Sequence, residues 1–190
     1  MKKIVLVGTA HPIQRGEQAP ELFNAVLLEQ CAFHEVNGIA EEIEKNAITI
    51  AYQLASALQL RHLYADPDWS ERAERGIQSD CQLDIIQEYA DRYPSIRWWP
   101  KEENEEDLPA EVLEQYRKRT ARADRLRERL WLEKIVGFNV WPLLFICGAD
   151  HFEPFSNLLE VSGFNLIKSH PDWPELTSSG DGLPNSRCQE

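Results

Sequence analysis

Hydrophobic residues fall along the chain in two kinds of block. Ile4 to Val7 is an unbroken apolar run of strand length, and Leu143 to Cys147 is another. Arg61 to Ala65 and Phe164 to Lys168 are further short strand candidates. Between these runs the apolar positions recur at helical spacing. Glu21 to Phe33 reads as a helix. Ile39 to Leu60 reads as a longer one, with Ala40, Ile43, Ala47, Ile50, Ala51, Leu54, Ala57 and Leu58 on one stripe. Residues 12–20 hold Pro, Gly and polar side chains and read as a loop. From Glu71 to Glu133 the chain is charge-rich and helical, interrupted by Pro94, Pro100 and Pro109. A long helix is expected from Pro109 to about Val136 and a last one over Glu153 to Ser162. Strands separated by helices predict an α/β fold, a mainly parallel sheet flanked by helices with a helical charged middle segment. The expected organisation is one domain over 1–173, a helical insert over about 80–125, and a flexible tail over 174–190, where Pro, Gly, Ser and Asp dominate.

The two long apolar runs end alike. The first leads into GTAH, Gly8 to His11, and the second into GADH, Gly148 to His151. In a parallel sheet the carboxyl ends of the strands share one edge, and ligands bind there. His11 and His151 should therefore project over the same edge from strands far apart in sequence. Two imidazoles converging in this way suit a divalent metal or an acid/base pair.

Charge and cysteine usage narrow the function class. The formal net charge of −12 argues against a nucleic-acid partner, which calls for a basic surface. None of Cys31, Cys81, Cys147 and Cys188 sits in a C-x-x-C pair, which predicts reduced thiols and a cytoplasmic setting. No apolar stretch approaches the length of a membrane span. The expected partner is a small-molecule or peptide substrate, with no membrane involved.

Carboxylates and cations complete the candidate chemistry. In GIAEE, Glu41 and Glu42 are neighbours; on a helix they point about 100° apart, so at most one faces a site squarely. Glu41 with Lys45 has the spacing of a surface pair, and Glu42 lies near the edge of the apolar stripe. Both stay candidates. Asp66 ends the short strand at the presumed ligand edge. On the helix after Pro109, Arg127 projects into the middle of a face formed by Leu113, Tyr116, Ala123, Leu130 and Trp131, with Lys134 close by. A cation on a core face needs an anionic partner, either a carboxylate such as Glu42 or Asp66 or a bound anion. Asp68 and Glu71 have capping-box spacing, and Asp172, in a second Pro-Asp-Trp, is expected to cap a helix likewise.

With GTAHP near the start, GADHFEPFSNLLEVSGF near the end and acidic residues between, the chain resembles the TraB/ChaN/Tiki group, itself related to erythromycin esterase. RERLWLEKIVG resembles the group's helix with an arginine before the closing strand, while YADP and RAERG resemble its acidic and arginine segments. The likeness covers about 1–76 and 125–170. The group includes proteins described as metal-dependent proteases, a haem- or iron-linked protein and a macrolide esterase. The resemblance implies a His/Glu pocket and adds Arg75, in RAERG, as a candidate. In one respect the chain departs from the group: GIAEE reads as helix or loop, so no early strand ends in a glutamate. The expected function is a hydrolase whose catalytic residues are His11, Glu41 or Glu42, Asp66, Arg127 and His151. Arg75 and Lys134 would bind substrate. Water would be activated by a Glu–His pair, or by a divalent zinc, manganese or cobalt ion on His11, His151 and Glu42, with Arg127 orienting a carboxylate or stabilising developing negative charge. The alternative is a non-catalytic protein that binds a small anionic ligand in the same pocket.

Overall fold

A computed structural model describes residues 2–100 and 107–174. Residues 101–106 and nearly all of the expected flexible tail lie outside the described residues. Strand β1 (Lys3–Thr9) leads into a short helix α1 (His11–Gln14) and then α2 (Pro20–His34). Next come β2 (Gly38–Glu41), α3 (Ile50–Ala57), β3 (Arg61–Tyr64), α4 (Trp69–Arg75) and α5 (Cys81–Tyr89). A 3-10 turn over Pro94–Arg97 precedes the 29-residue helix α6 (Ala110–Phe138), and β4 (Leu143–Gly148), α7 (Ala149–Val161) and β5 (Asn165–Trp173) close the order. The five strands form one all-parallel sheet in the order β3-β2-β4-β1-β5, which establishes the α/β fold.

The central strands are the two apolar runs. Ile4 to Val7 and Leu143 to Cys147 have no solvent exposure, because helices cover both faces of the sheet. Val5, Val7, Ile39, Leu144 and Ile146 pack against Phe23, Leu27 and Leu54 on one side. Ile4, Leu6, Phe145 and Cys147 pack against Trp131, Ile135, Phe152 and Phe155 on the other. The expected helical insert corresponds to α5, the 3-10 turn and the start of α6, which pack around Ile85, Ile96, Val112 and Leu113 as a cluster of their own. Among the described residues no helix is long and apolar enough to cross a membrane.

The largest correction concerns Ile39 to Leu60. Gly38–Glu41 is an interior strand, and helix begins only at Ile50. Gly38 fits because an added Cβ would lie 2.8 Å from Val140 Cγ1. Thr49 caps α3 by accepting from Tyr52 N at 3.0 Å, and Asn46 sits at a left-handed φ of 77° that interrupts any continuous helix. Apolar positions shared by the two periodicities made a four-residue buried strand look like the first turn of a helix. Three ends also shift: α1 forms within the expected loop, α7 starts at Ala149, and β5 runs on to Trp173. Asp68 and Glu71 form the expected capping box, whereas Asp172 lies inside β5 and caps nothing.

Candidate functional site

Parallel pairing places the two Gly-x-x-His segments side by side. Thr9 of β1 is in register with Gly148 of β4, so His11 and His151 leave neighbouring strands at the same edge. Next to β4 runs β2, and the N–H of Glu42 extends that pairing by donating to Ile146 O at 2.8 Å. Three candidate side chains thus emerge at one edge from three adjacent strands. They line a cavity of about 380 Å³ with Thr9, Thr120, Asp124, Arg127, Gly148, Asp150 and Asp172.

Glu42 is the hub. Its side chain has no exposure, and Oε1 accepts from Arg127 Nη2 at 2.5 Å and lies 3.3 Å from His151 Nε2 and 3.6 Å from His11 Nε2. Oε2 accepts from the Gly148 N–H at 2.6 Å. A Cβ on Gly148 would lie 3.3 Å from that same oxygen, so the second glycine serves close approach of a carboxylate to backbone. Burial disfavours the Glu42 anion, but His11, His151, Arg127 and the Gly148 N–H together hold its pKa below the ordinary carboxylate value.

His151 is held from behind. Its Nδ1 is 2.9 Å from Oε1 of Glu128, a residue 1% exposed on α6, which directs Nε2 towards Glu42 and Asp124. Burial opposes the imidazolium, yet the hydrogen bond to Glu128 and the charges of Glu42 and Asp124 outweigh burial and the repulsion of Arg127, and the His151 pKa is raised. His11 differs: its side chain is 45% exposed and reaches the cavity from the mouth.

Arg127 is buried with acidic partners, as its place on the apolar face requires. It donates through Nε to Asp66 Oδ1 at 3.0 Å and through Nη1 to Asp124 at 3.4 Å, besides Glu42, and it lies over the Trp131 ring. Burial opposes its charge, but Glu42, Asp66 and Asp124 raise its pKa further. Asp66 also accepts from Arg72 Nη2 at 2.6 Å and from Trp131 Nε1 at 3.2 Å. It stands behind Arg127 rather than in the cavity.

Three candidates fall elsewhere. Glu41 points to the opposite face of the sheet, because consecutive strand residues alternate; its Oε1 accepts from Thr49 Oγ1 at 2.5 Å and lies 2.8 Å from His62 Nε2. Arg75 forms an exposed pair with Glu133 at 2.8 Å. Lys134 reaches Glu71 at 2.7 Å and the Asp66 carbonyl at 3.2 Å, on the far side of Asp66 from the cavity. The departure noted in GIAEE disappears: β2 ends at Glu41, with the hub glutamate immediately after it.

Glu128 and Asp124 were missed. Projected at about 100° per residue, Glu128 falls about 20° from Ile135 on the buried side of α6, so the logic that found Arg127 applied to it as well. Asp150 and Asp172 gave no signal of their own. The geometry defines an all-parallel α/β fold with a Glu/His/Arg cluster at the carboxyl edge of its sheet. No family model, curated protein or solved structure matches the chain.

Proposed function

We propose that this protein is a hydrolase in which His11 and Glu42 activate water without a metal ion. The observation that carries the reading is the buried Glu42 carboxylate, in reach of two imidazoles from two strands at the ligand edge of the sheet. Water beside His11 Nε2 gives up a proton to that nitrogen, and Glu42 stabilises the imidazolium that forms. The hydroxide adds to an acyl carbon, the bond to the leaving oxygen or nitrogen breaks, and the leaving group takes up the proton from His11 Nε2, which returns to its neutral form. His151, whose pKa the hydrogen bond to Glu128 raises, supplies positive charge for the oxyanion in its protonated form. So does the first turn of α7, whose N-cap Gly148 offers no side chain. Arg127 is engaged by three carboxylates, so its work is to hold Glu42 ionised and in place.

A divalent ion would draw on His11, Glu42 and His151. Arg127 Nη2 already donates to the Glu42 oxygen that such an ion needs, and Nη1 lies 3.3 Å from His151 Nε2. An ion placed there faces a guanidinium at contact distance, so the residues as arranged do not fit it. Anion binding is disfavoured for a related reason, since four carboxylates line the cavity and its arginine is already paired.

The test is turnover on ester, peptide and phosphoester panels by wild type, His11→Ala and Glu42→Gln. We expect each substitution to lower the rate by about 10²–10⁴-fold. His11→Ala, at a half-exposed position, should melt close to wild type. Absence of turnover on every panel by folded wild type sinks the hydrolase reading. Melting curves with zinc, manganese or cobalt form the second arm. A rise in wild type that is absent in His11→Ala and His151→Ala would return the choice to a metal-dependent site.

A further inference from the structure

The charges around the cavity fall into two groups. Deep in the site, carboxylates and cations balance. Glu42 meets Arg127 and His151, Asp66 meets Arg127 and Arg72, Glu128 meets Arg125 and His151, and Asp124 lies beside Arg127 and His151. At the mouth the balance fails. Asp150 and Asp172 are exposed, line the same cavity as His11, and have no ion-pair partner among the described residues. Thr120 adds a polar side chain to the same lining.

The fold builds Asp172 into this position. The pairing of β5 with β1 shifts register between Leu6 and Val7 and again between Val7 and Thr9. Those shifts press Pro171 onto β1 so closely that a Cβ on Gly8 would lie 2.0 Å from Pro171 O. The buried Thr9 hydroxyl then fastens the strand end by donating to Trp173 O at 2.6 Å. Asp172 is thereby held between two anchored neighbours, at the point where a substrate enters. Asp150 comes from the GADH segment itself, one residue before His151.

We propose that the substrate hydrolysed here carries an ammonium or guanidinium group, met at the mouth by Asp150 and Asp172 while its acyl carbon lies in the cavity beside the water at His11. This rests on the hydrolase reading. Two unpaired carboxylates at a half-enclosed mouth favour a cation and repel an anion, and the preference weakens as salt screens it.

The experiment compares Nα-acetyl-lysine methyl ester with Nα-acetyl-norleucine methyl ester, which has a methyl group in place of the ammonium. Binding of the two corresponding methylamides is measured alongside by calorimetry. Wild type should prefer the lysine ester in kcat/KM by about tenfold or more at low salt, less in added sodium chloride. The double variant Asp150→Asn, Asp172→Asn should bring the ratio towards one. Equal rates for both esters in wild type overturn the proposal and leave the hydrolase reading standing. If neither ester turns over but the lysine amide binds wild type and not the variant, the cation site stands and the hydrolase reading falls. Binding of neither amide, or stabilisation of wild type by a divalent ion alone, overturns it.

Discussion

Glu42 and His151 titrate in opposite senses, and the signs are checkable. The Glu42 pKa lies below its unfolded value of 4.5, so its contribution to stability is present above that pH and is lost as pH falls through the folded value. The His151 pKa lies above its unfolded value of 6.5, so its contribution is present below that pH and is lost as pH rises through the folded value. We expect the melting temperature of wild type to decline as pH is raised above 6.5, with His151→Gln showing a flatter alkaline arm. Melting curves between about pH 6 and 9 read this directly. An alkaline arm of equal slope in the variant would assign the loss to another group. Glu128→Gln should move the arm towards lower pH, since the imidazolium then loses the anion on Nδ1.

At the scale of elements, the two glycines of the repeated motif do different work. Gly148 admits the Glu42 carboxylate to its own N–H, whereas Gly8 admits a neighbouring strand. Gly8→Ala forces β5 away from β1 and should destabilise by about 1–3 kcal/mol, the range for overpacking a tight site. Gly137 is the control. It lies inside α6 with nothing within 4 Å of an added Cβ, so Gly137→Ala should stabilise by about 0.5–1 kcal/mol. Urea unfolding of the two variants compares them on one scale. A Gly8→Ala protein as stable as wild type would show that β5 can relax without cost, and that the seat of Asp172 is soft.

For the whole molecule, the sheet and its two faces form the stable part, and the helical segment forms an annex. α5 and the 3-10 turn pack on the start of α6, in a cluster separate from the cores on either side of the sheet. Among the described residues α6 alone belongs to both regions, since Trp131 and Ile135 pack on the sheet and Val112 and Leu113 on the annex. Native-state hydrogen exchange should therefore open α5 at a lower free energy than β1 and β4. Equal protection of α5 and β1 would make the two regions a single cooperative unit. Because Asp124, Arg127 and Glu128 all sit on α6, looseness in the annex would reach the cavity through one helix.

The sequence by itself determined the central strands, the α/β class, the position of His11 and His151 at one edge, and the burial of Arg127 with carboxylates. Each follows from a local pattern: an apolar run, a repeated turn, or a charge on an apolar face. It did not determine which glutamate faces the cavity. That depended on whether residues 38–41 were helix or strand, and four residues are too few for either periodicity to win. Pairing of β2 with β4 on one side and β3 on the other decided it, turning Glu41 to one face and delivering Glu42 to the other. Likewise Asp150, Asp172 and Glu128 are ordinary acidic residues in the sequence. Asp150 and Asp172 came to line the cavity, and Glu128 to hold His151 from behind, only when a register shift in β5 and the packing of α6 on the sheet brought distant segments within reach. Such contacts join residues far apart in the chain, and no local spacing records them.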